Sequence, residues 1–148
     1  MKIAIGSDHA GYELKEELMA HLSHRGFELV DFGTYNGDTS VDYPDYAEAV
    51  AREVSNGEFE KGILVCGTGI GVAIAANKVK GIRAANCNEV EMAVLSRRHN
   101  DANILTIGGR VVDHKDAQDI ASVWLSTEFE GERHIGRIQK ISDIEVSS

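Results

Sequence analysis

The sequence predicts an α/β fold in which a five-stranded parallel sheet is covered by helices on both faces. Two observations carry this. Five short, near-continuously apolar runs recur along the chain, and helix-like stretches separate them throughout. No repeat, low-complexity segment or linker interrupts the alternation, so residues 1–148 read as one domain.

The first run is KIAIGS, residues 2–7. A helical stretch follows, with Leu14, Leu18 and Leu22 at i, i+4 and i+8, and Asp8 stands where an N-cap belongs. Gly26 ends it, and FELVDFG (27–33) is the second strand. Residues 34–43 are polar and turn-like. The chain's only proline, Pro44, sits near N1 of a helix reaching Ser55. GILVC (62–66) is strand three, and a helix is expected over 69–78. IRAANC (82–87) is strand four. Asn88 then reads as a cap, with Glu91 completing a capping-box-like pair. NILTIGG (103–109) is strand five. Asp113 opens a helix with Ala117, Ile120, Ala121, Trp124 and Leu125 on one face, and a last helix covers about 133–145.

Composition narrows the function. No apolar run reaches the roughly 18–20 residues that span a bilayer. The N-terminus reads as a strand, not a signal peptide, which places the protein in the cytoplasm. Two cysteines, Cys66 and Cys87, are too few for a disulfide framework and lack the spacing of a structural zinc site. A net charge of -9 argues against a nucleic-acid partner. A small anionic ligand remains open, provided that arginines supply local positive charge.

In parallel α/β folds ligands bind beyond the carboxyl ends of the strands. That directs attention to CGTGIG, residues 66–71. Gly67, Gly69 and Gly71 let backbone N–H groups approach a ligand, and the helix that follows favours negative charge. The spacing is not a dinucleotide fingerprint, because Val72 stands where Gly or Ala is needed. It is not a phosphate-binding Walker loop either, since no Gly-Lys-Ser/Thr follows. An anion hole and a tight strand-to-helix turn both remain.

Beside these amides, the Cys66 thiolate is easier to reach, and it serves as nucleophile or proton-abstracting base. The alternative is a small buried hydrophobe. Cys87 lacks the glycine loop and reads as structural. Thr68 holds a substrate oxygen, orients Cys66 or caps the helix. Asp8 and His9 lie at the end of strand one. His99 and Asn100 end the fourth helix, where the helix dipole alone would favour a histidine. Arg133 and Arg137, at i and i+4, share one face and suit a phosphate, while Ile135 and Ile138 point toward packing. Arg110, after strand five, is a third cation for that anion.

In combination, SDHAG, DYPDYA, CGTGIGVAIAANK, GIRAA, SRRHNDANIL and GGRVV resemble the ribose-5-phosphate isomerases of type B, in the wider family that includes galactose-6-phosphate isomerase. The likeness runs in order over nearly the whole chain. It implies a three-layer α/β/α, doubly wound sheet of Rossmann-like or flavodoxin-like order. It also implies a homodimer, or a tetramer built from it, with the C-terminal helix at the dimer interface and active sites shared between subunits. By this resemblance Cys66 is the base and residues Gly67, Thr68, Gly69, Ile70 and Gly71 form the anion hole. His99 assists ring opening from the neighbouring subunit, together with Asn100. Asp8 and His9 bind the sugar, Tyr43 lines the pocket, and Arg110, Arg133 and Arg137 contact the phosphate.

One branch of the family carries a glutamate base at the position of Val72, so this chain follows the cysteine branch. The galactose-6-phosphate subunits lack the histidine found here at 99. The expected reaction therefore interconverts ribose 5-phosphate and ribulose 5-phosphate through an enediolate, in the pentose phosphate pathway. Allose 6-phosphate and galactose 6-phosphate are the alternative substrates. Such a proton transfer needs no metal and no nicotinamide. The rivals from other classes are a non-catalytic phosphosugar- or nucleotide-binding module and a thiol redox enzyme. The second is weakened by the lack of a resolving cysteine near Cys66.

Overall fold

Five parallel strands form the centre of the computed structural model, which describes residues 1–147. The elements follow the expected alternation: β1 (Lys2–Ser7), α1 (Tyr12–His24), β2 (Glu28–Asp31), α2 (Tyr43–Ser55), β3 (Lys61–Cys66), α3 (Ile70–Ala76), β4 (Ala84–Asn86), α4 (Val90–Arg98), β5 (Ile104–Gly108), α5 (His114–Ser126) and α6 (Arg133–Ser147). The apolar runs become strands because both of their faces are buried. Ile3, Ile5, Ile63, Val65, Leu105 and Ile107 face a core shared with α1 and α5. Ala4, Leu64 and Ile104 face a second core, against α2 and α3. Two dry layers of this kind require helices on each side of the sheet.

The strand order is β2-β1-β3-β5-β4. It departs from the flavodoxin-like 2-1-3-4-5 order at one edge, where β5 lies between β3 and β4. The outermost β4 has only three residues, which limits the open edge it presents. The order reverses between β1 and β3, and their carboxyl ends are in register, Ser7 opposite Val65. Cys66 in turn pairs with Gly108 of β5. The ends of β1, β3 and β5 therefore open side by side.

Local chemistry explains several boundaries and corrects others. Asp113 is the N-cap of α5, and its side chain accepts from the N–H groups of Lys115 and Asp116. Asp8 is not the N-cap of α1, which is Gly11. Asp8 instead accepts from the Gly11 N–H at 3.0 Å and closes the turn that leads into the helix. Asn88 does not cap α4, whose N-cap is Glu89. Its amide is occupied elsewhere, as described below.

Lys15 is the least expected core residue, a fully buried cation on the apolar face of α1. Its ammonium binds both oxygens of Asp31, at 2.7 and 2.9 Å, and the Thr34 carbonyl at 2.5 Å. A buried charge persists only with such partners. The pair fastens α1 to the end of β2 and to the start of the polar segment before α2.

The last helix behaves differently. Among its described residues only His134 is buried, while Ile135, Ile141, Ile144 and Val146 stand 43–70% exposed. The expected packing of Ile135 does not occur within the chain.

Candidate active site

A crevice of about 490 Å³ lies at the switch point, within the roughly 300–1,000 Å³ usual for small-molecule sites. It is lined by Asp8, His9 and Ala10 from the end of β1, by Cys66, Gly67, Thr68, Ile70, Gly71 and Ile74 from the β3–α3 junction, by Tyr43 and by Arg110. Cys66 is 5% exposed, yet its side of the chain opens into this space. A larger cavity of about 730 Å³ adjoins it and shares His9, Ala10 and Arg110, but no cysteine lines it. The thiol crevice is where the reactive groups converge.

The three glycines of the loop are under different constraints. Gly69 has φ +81°, a left-handed conformation open to glycine. A Cβ there would lie 2.5 Å from Asn86 Oδ1 and 2.8 Å from the Ile107 carbonyl carbon. Gly71 makes room for the Tyr43 ring, which a Cβ would meet at 2.6 Å. At Gly67 a Cβ would make ordinary contacts, 3.7 Å from the Arg110 side chain and 3.9 Å from the Ala10 methyl.

The amides are also more specialised than a general anion hole. The Gly69 N–H donates to Cys66 Sγ at 3.2 Å, and the Ile70 N–H donates to Thr68 Oγ1 at 3.1 Å. Thr68, of its three readings, thus meets the helix-start one with its hydroxyl, while remaining exposed at the crevice.

Two residues hold this loop in place, Asn88, expected from the sequence as a helix cap, and Thr106, which the sequence did not single out. Asn88 donates to the Thr68 carbonyl at 3.3 Å and accepts from the Gly108 N–H at 3.0 Å. Thr106 Oγ1 donates to the Gly69 carbonyl at 2.7 Å. Thr106 lies on β5 and Asn88 just past the end of β4, both far from the loop in sequence, which explains why local pattern misread Asn88 as a cap. The turn after β5 is tied to the same loop: the Gly109 N–H donates to the Cys66 carbonyl at 2.8 Å and the Arg110 N–H to the Gly67 carbonyl at 3.0 Å.

His9 is oriented from the other side. The Val41 N–H donates to its Nδ1 at 3.2 Å, so a neutral ring carries its proton on Nε2. Asp8 is 7% exposed and lines the crevice beside it.

The remaining expected residues gather elsewhere. His99, the C-cap of α4, stacks on His134 of α6, with ring centroids 4.5 Å apart and planes 20° from parallel. Arg137 donates to His134 Nδ1 at 3.3 Å, and Arg133 lies 3.6 Å from Glu130. With Nδ1 accepting, the neutral His134 ring has its N–H at Nε2, and that atom is buried without a hydrogen-bond partner. Burial, then Arg133, His99 and Arg137, holds the His134 pKa below the ordinary histidine value. In the sequence His134 stands out only by its place between two arginines. Asn100 faces a third hollow, with Arg83 and Ile141. Within one chain, then, Cys66 and its neighbours line one crevice, and His99, Arg133 and Arg137 form a separate group that does not line it.

Two clusters bring potential metal ligands within 4.8 Å of one another, His99–Glu130–His134 and Glu13–Glu17–His114. In the first, nearly parallel rings cannot aim both lone pairs at one ion, and two arginines add positive charge. In the second, both ring nitrogens of His114 already have partners. Neither cluster presents a ready donor set. No helix among the described residues is long and apolar enough to cross a membrane.

A doubly wound sheet with its polar crevice at the switch point, a thiol under an amide donor and the Arg110 guanidinium in the lining defines an α/β protein for small anionic ligands. The chain belongs to the ribose/galactose isomerase family, which it matches over residues 3–141. It is 51% identical over 144 residues to ribose-5-phosphate isomerase B of Escherichia coli, covering 97% of this chain and 96% of that one. Its structure superposes on that of ribose-5-phosphate isomerase B from Clostridium thermocellum with a TM-score of 0.97, at 55% identity and 99% coverage of both chains. It superposes on the Mycoplasma genitalium ribose-5-phosphate isomerase B with bound ribulose 5-phosphate at a TM-score of 0.95. That pair is 42% identical over 99% of this chain and 97% of the other.

Proposed function

We propose that this chain is an aldose–ketose isomerase that interconverts ribose 5-phosphate and ribulose 5-phosphate. The observation that carries the reading is the Cys66 sulfur at the switch-point crevice, with the Gly69 N–H 3.2 Å away, in a chain about half identical to ribose-5-phosphate isomerases. Cys66 removes the proton from C2 of the opened sugar and returns it to C1. The charge passes through an enediolate whose oxygen is met by the Gly67–Gly71 loop. A positioned base contributes about 10²–10⁴ in rate.

Asp8 and His9 hold the sugar hydroxyls, His9 through its Nε2–H, and Tyr43 closes one wall. His99 assists ring opening with Asn100. Arg110, Arg133 and Arg137 bind the phosphate, whose binding energy fixes the reacting carbons over the sulfur. His134 Nε2–H, buried and unpaired, joins the donors on α6.

The separation of the two groups within one chain supports a homodimer with shared sites, in which α6 and His99 of one copy reach the Cys66 crevice of the other. The exposed isoleucines of α6 then become interface, and two dimers give a tetramer. The whole chain acts as one isomerase domain. It is placed in the cytoplasm, serving the pentose phosphate pathway, and needs neither metal nor nicotinamide.

Incubation with ribose 5-phosphate is expected to yield ribulose 5-phosphate, and alkylation of the thiol to stop it. Absence of product from untreated protein would refute the reading in favour of a binding module. Arg137→Ala is expected to raise KM for ribose 5-phosphate roughly 10–100-fold, the loss of one charge-assisted contact, with a smaller change in kcat. An unchanged KM in steady-state kinetics would remove α6 from phosphate binding.

A further inference from the structure

His114, the first residue of α5, stands outside the thiol crevice but is bonded to its frame. Its Nδ1 lies 2.7 Å from Glu17 Oε2 on α1, and its Nε2 lies 3.1 Å from the Gly109 carbonyl. Both partners are acceptors, so both contacts are satisfied together only by an imidazolium, with two N–H donors. Gly109 is the residue whose own N–H reaches the Cys66 carbonyl, and Arg110 follows it. One cation thus grips the turn that carries Arg110, from the side opposite the catalytic loop.

We propose that protonated His114, held by Glu17, is a positioning residue that fixes the Gly109–Arg110 turn and thereby ties affinity for a sugar phosphate to pH. The inference rests on Arg110 meeting the phosphate in the proposed function.

When the ring loses its proton, one nitrogen must present a lone pair either to the Glu17 carboxylate or to the Gly109 carbonyl. One grip is then lost and the turn is freed on that side. The surroundings favour the proton. Burial opposes the charge, but the Gly109 carbonyl, then Glu17 and Glu13, outweigh it and raise the His114 pKa above the ordinary value. The other charged or titratable groups lining the same cavity are Tyr12 and Glu16 of α1, His9, Asp38 and Arg110. Lys115 neighbours His114 on its own helix. The sign follows. The grip is complete below the raised pKa and is lost as pH rises through it, so affinity falls on the alkaline side.

The test compares wild type, His114→Gln and Glu17→Gln. Ribose 5-phosphate turnover is measured from pH 5.5 to 9, and its binding is followed by calorimetry over the same range. Wild type should show KM and Kd rising about fivefold across the His114 titration, the scale of one hydrogen bond, with kcat little changed by that group. In Glu17→Gln the rise should move to lower pH. In His114→Gln it should vanish, leaving weakened affinity throughout. Circular dichroism checks folding; if His114→Gln does not fold, the direction of the Glu17→Gln shift decides alone. Coincident pH profiles for wild type and the folded variants overturn the inference. A wild type that binds ribose 5-phosphate without converting it would refute the isomerase reading and leave the comparison of affinities decisive. One that does not bind it refutes both.

Discussion

Cys66→Ala is expected to abolish exchange of the C2 proton of ribose 5-phosphate with solvent, and isomerisation with it, while the protein stays folded. The sulfur is the acid–base group of the crevice that the Gly69 amide addresses directly. Without it, the carbon acid faces only water, and the loss is at least the about 10²–10⁴ that a positioned base supplies. Folding should survive because alanine leaves the backbone unchanged. The Gly109 N–H bonds to the carbonyl of residue 66, not to its side chain, and a typical single substitution costs on the order of 1 kcal/mol. Proton NMR in deuterium oxide reads the exchange, and urea unfolding reads the stability. Normal exchange in a folded Cys66→Ala protein would take the base role away from the thiol.

Subunit mixing should restore activity where two inactive variants are combined. In the proposed dimer the Cys66 crevice of one copy is completed by His99 of the other. Cys66→Ala and His99→Asn chains, unfolded together and refolded, form mixed dimers in which one of two sites has both groups. With random pairing, roughly a quarter of all sites are intact, so activity should climb from near zero to about a quarter of wild type. Activity that stays at the level of the separate variants would mean that each chain supplies its own complete site. The expectation arises from the placement of His99, stacked on His134 of α6 and absent from the crevice lining.

Much of the architecture was legible along the chain. Apolar runs such as GILVC marked the strands, because a strand buried on both faces has little room for polar residues. Asp113 was legible as a cap, since capping is decided within three residues. The CGTGIG loop, with Asp8 and His9, was located by one rule about strand ends, and all of these residues except Gly69 line one crevice. Asn88 was misread because its partners, the Thr68 carbonyl and the Gly108 N–H, are twenty residues away on either side. The burial of Lys15 depends on Asp31 and Thr34, which local periodicity does not reveal. His114 carried no motif at all, and its meaning comes from a contact with Glu17, 97 positions earlier.

The sequence by itself determined the layered fold, the thiol beside a glycine loop and the pair of arginines one helical turn apart. Each of these is written in spacing along the chain, over distances at which the backbone's own geometry decides which residues meet. Tertiary structure alone decided that β5 lies between β3 and β4, so that Cys66 borders Gly108 and Arg110 faces its loop. It also decided that His99 stands apart with α6. A strand can add to a parallel sheet at more than one edge position with the same local pattern, and the choice is made by packing summed over residues far apart in sequence.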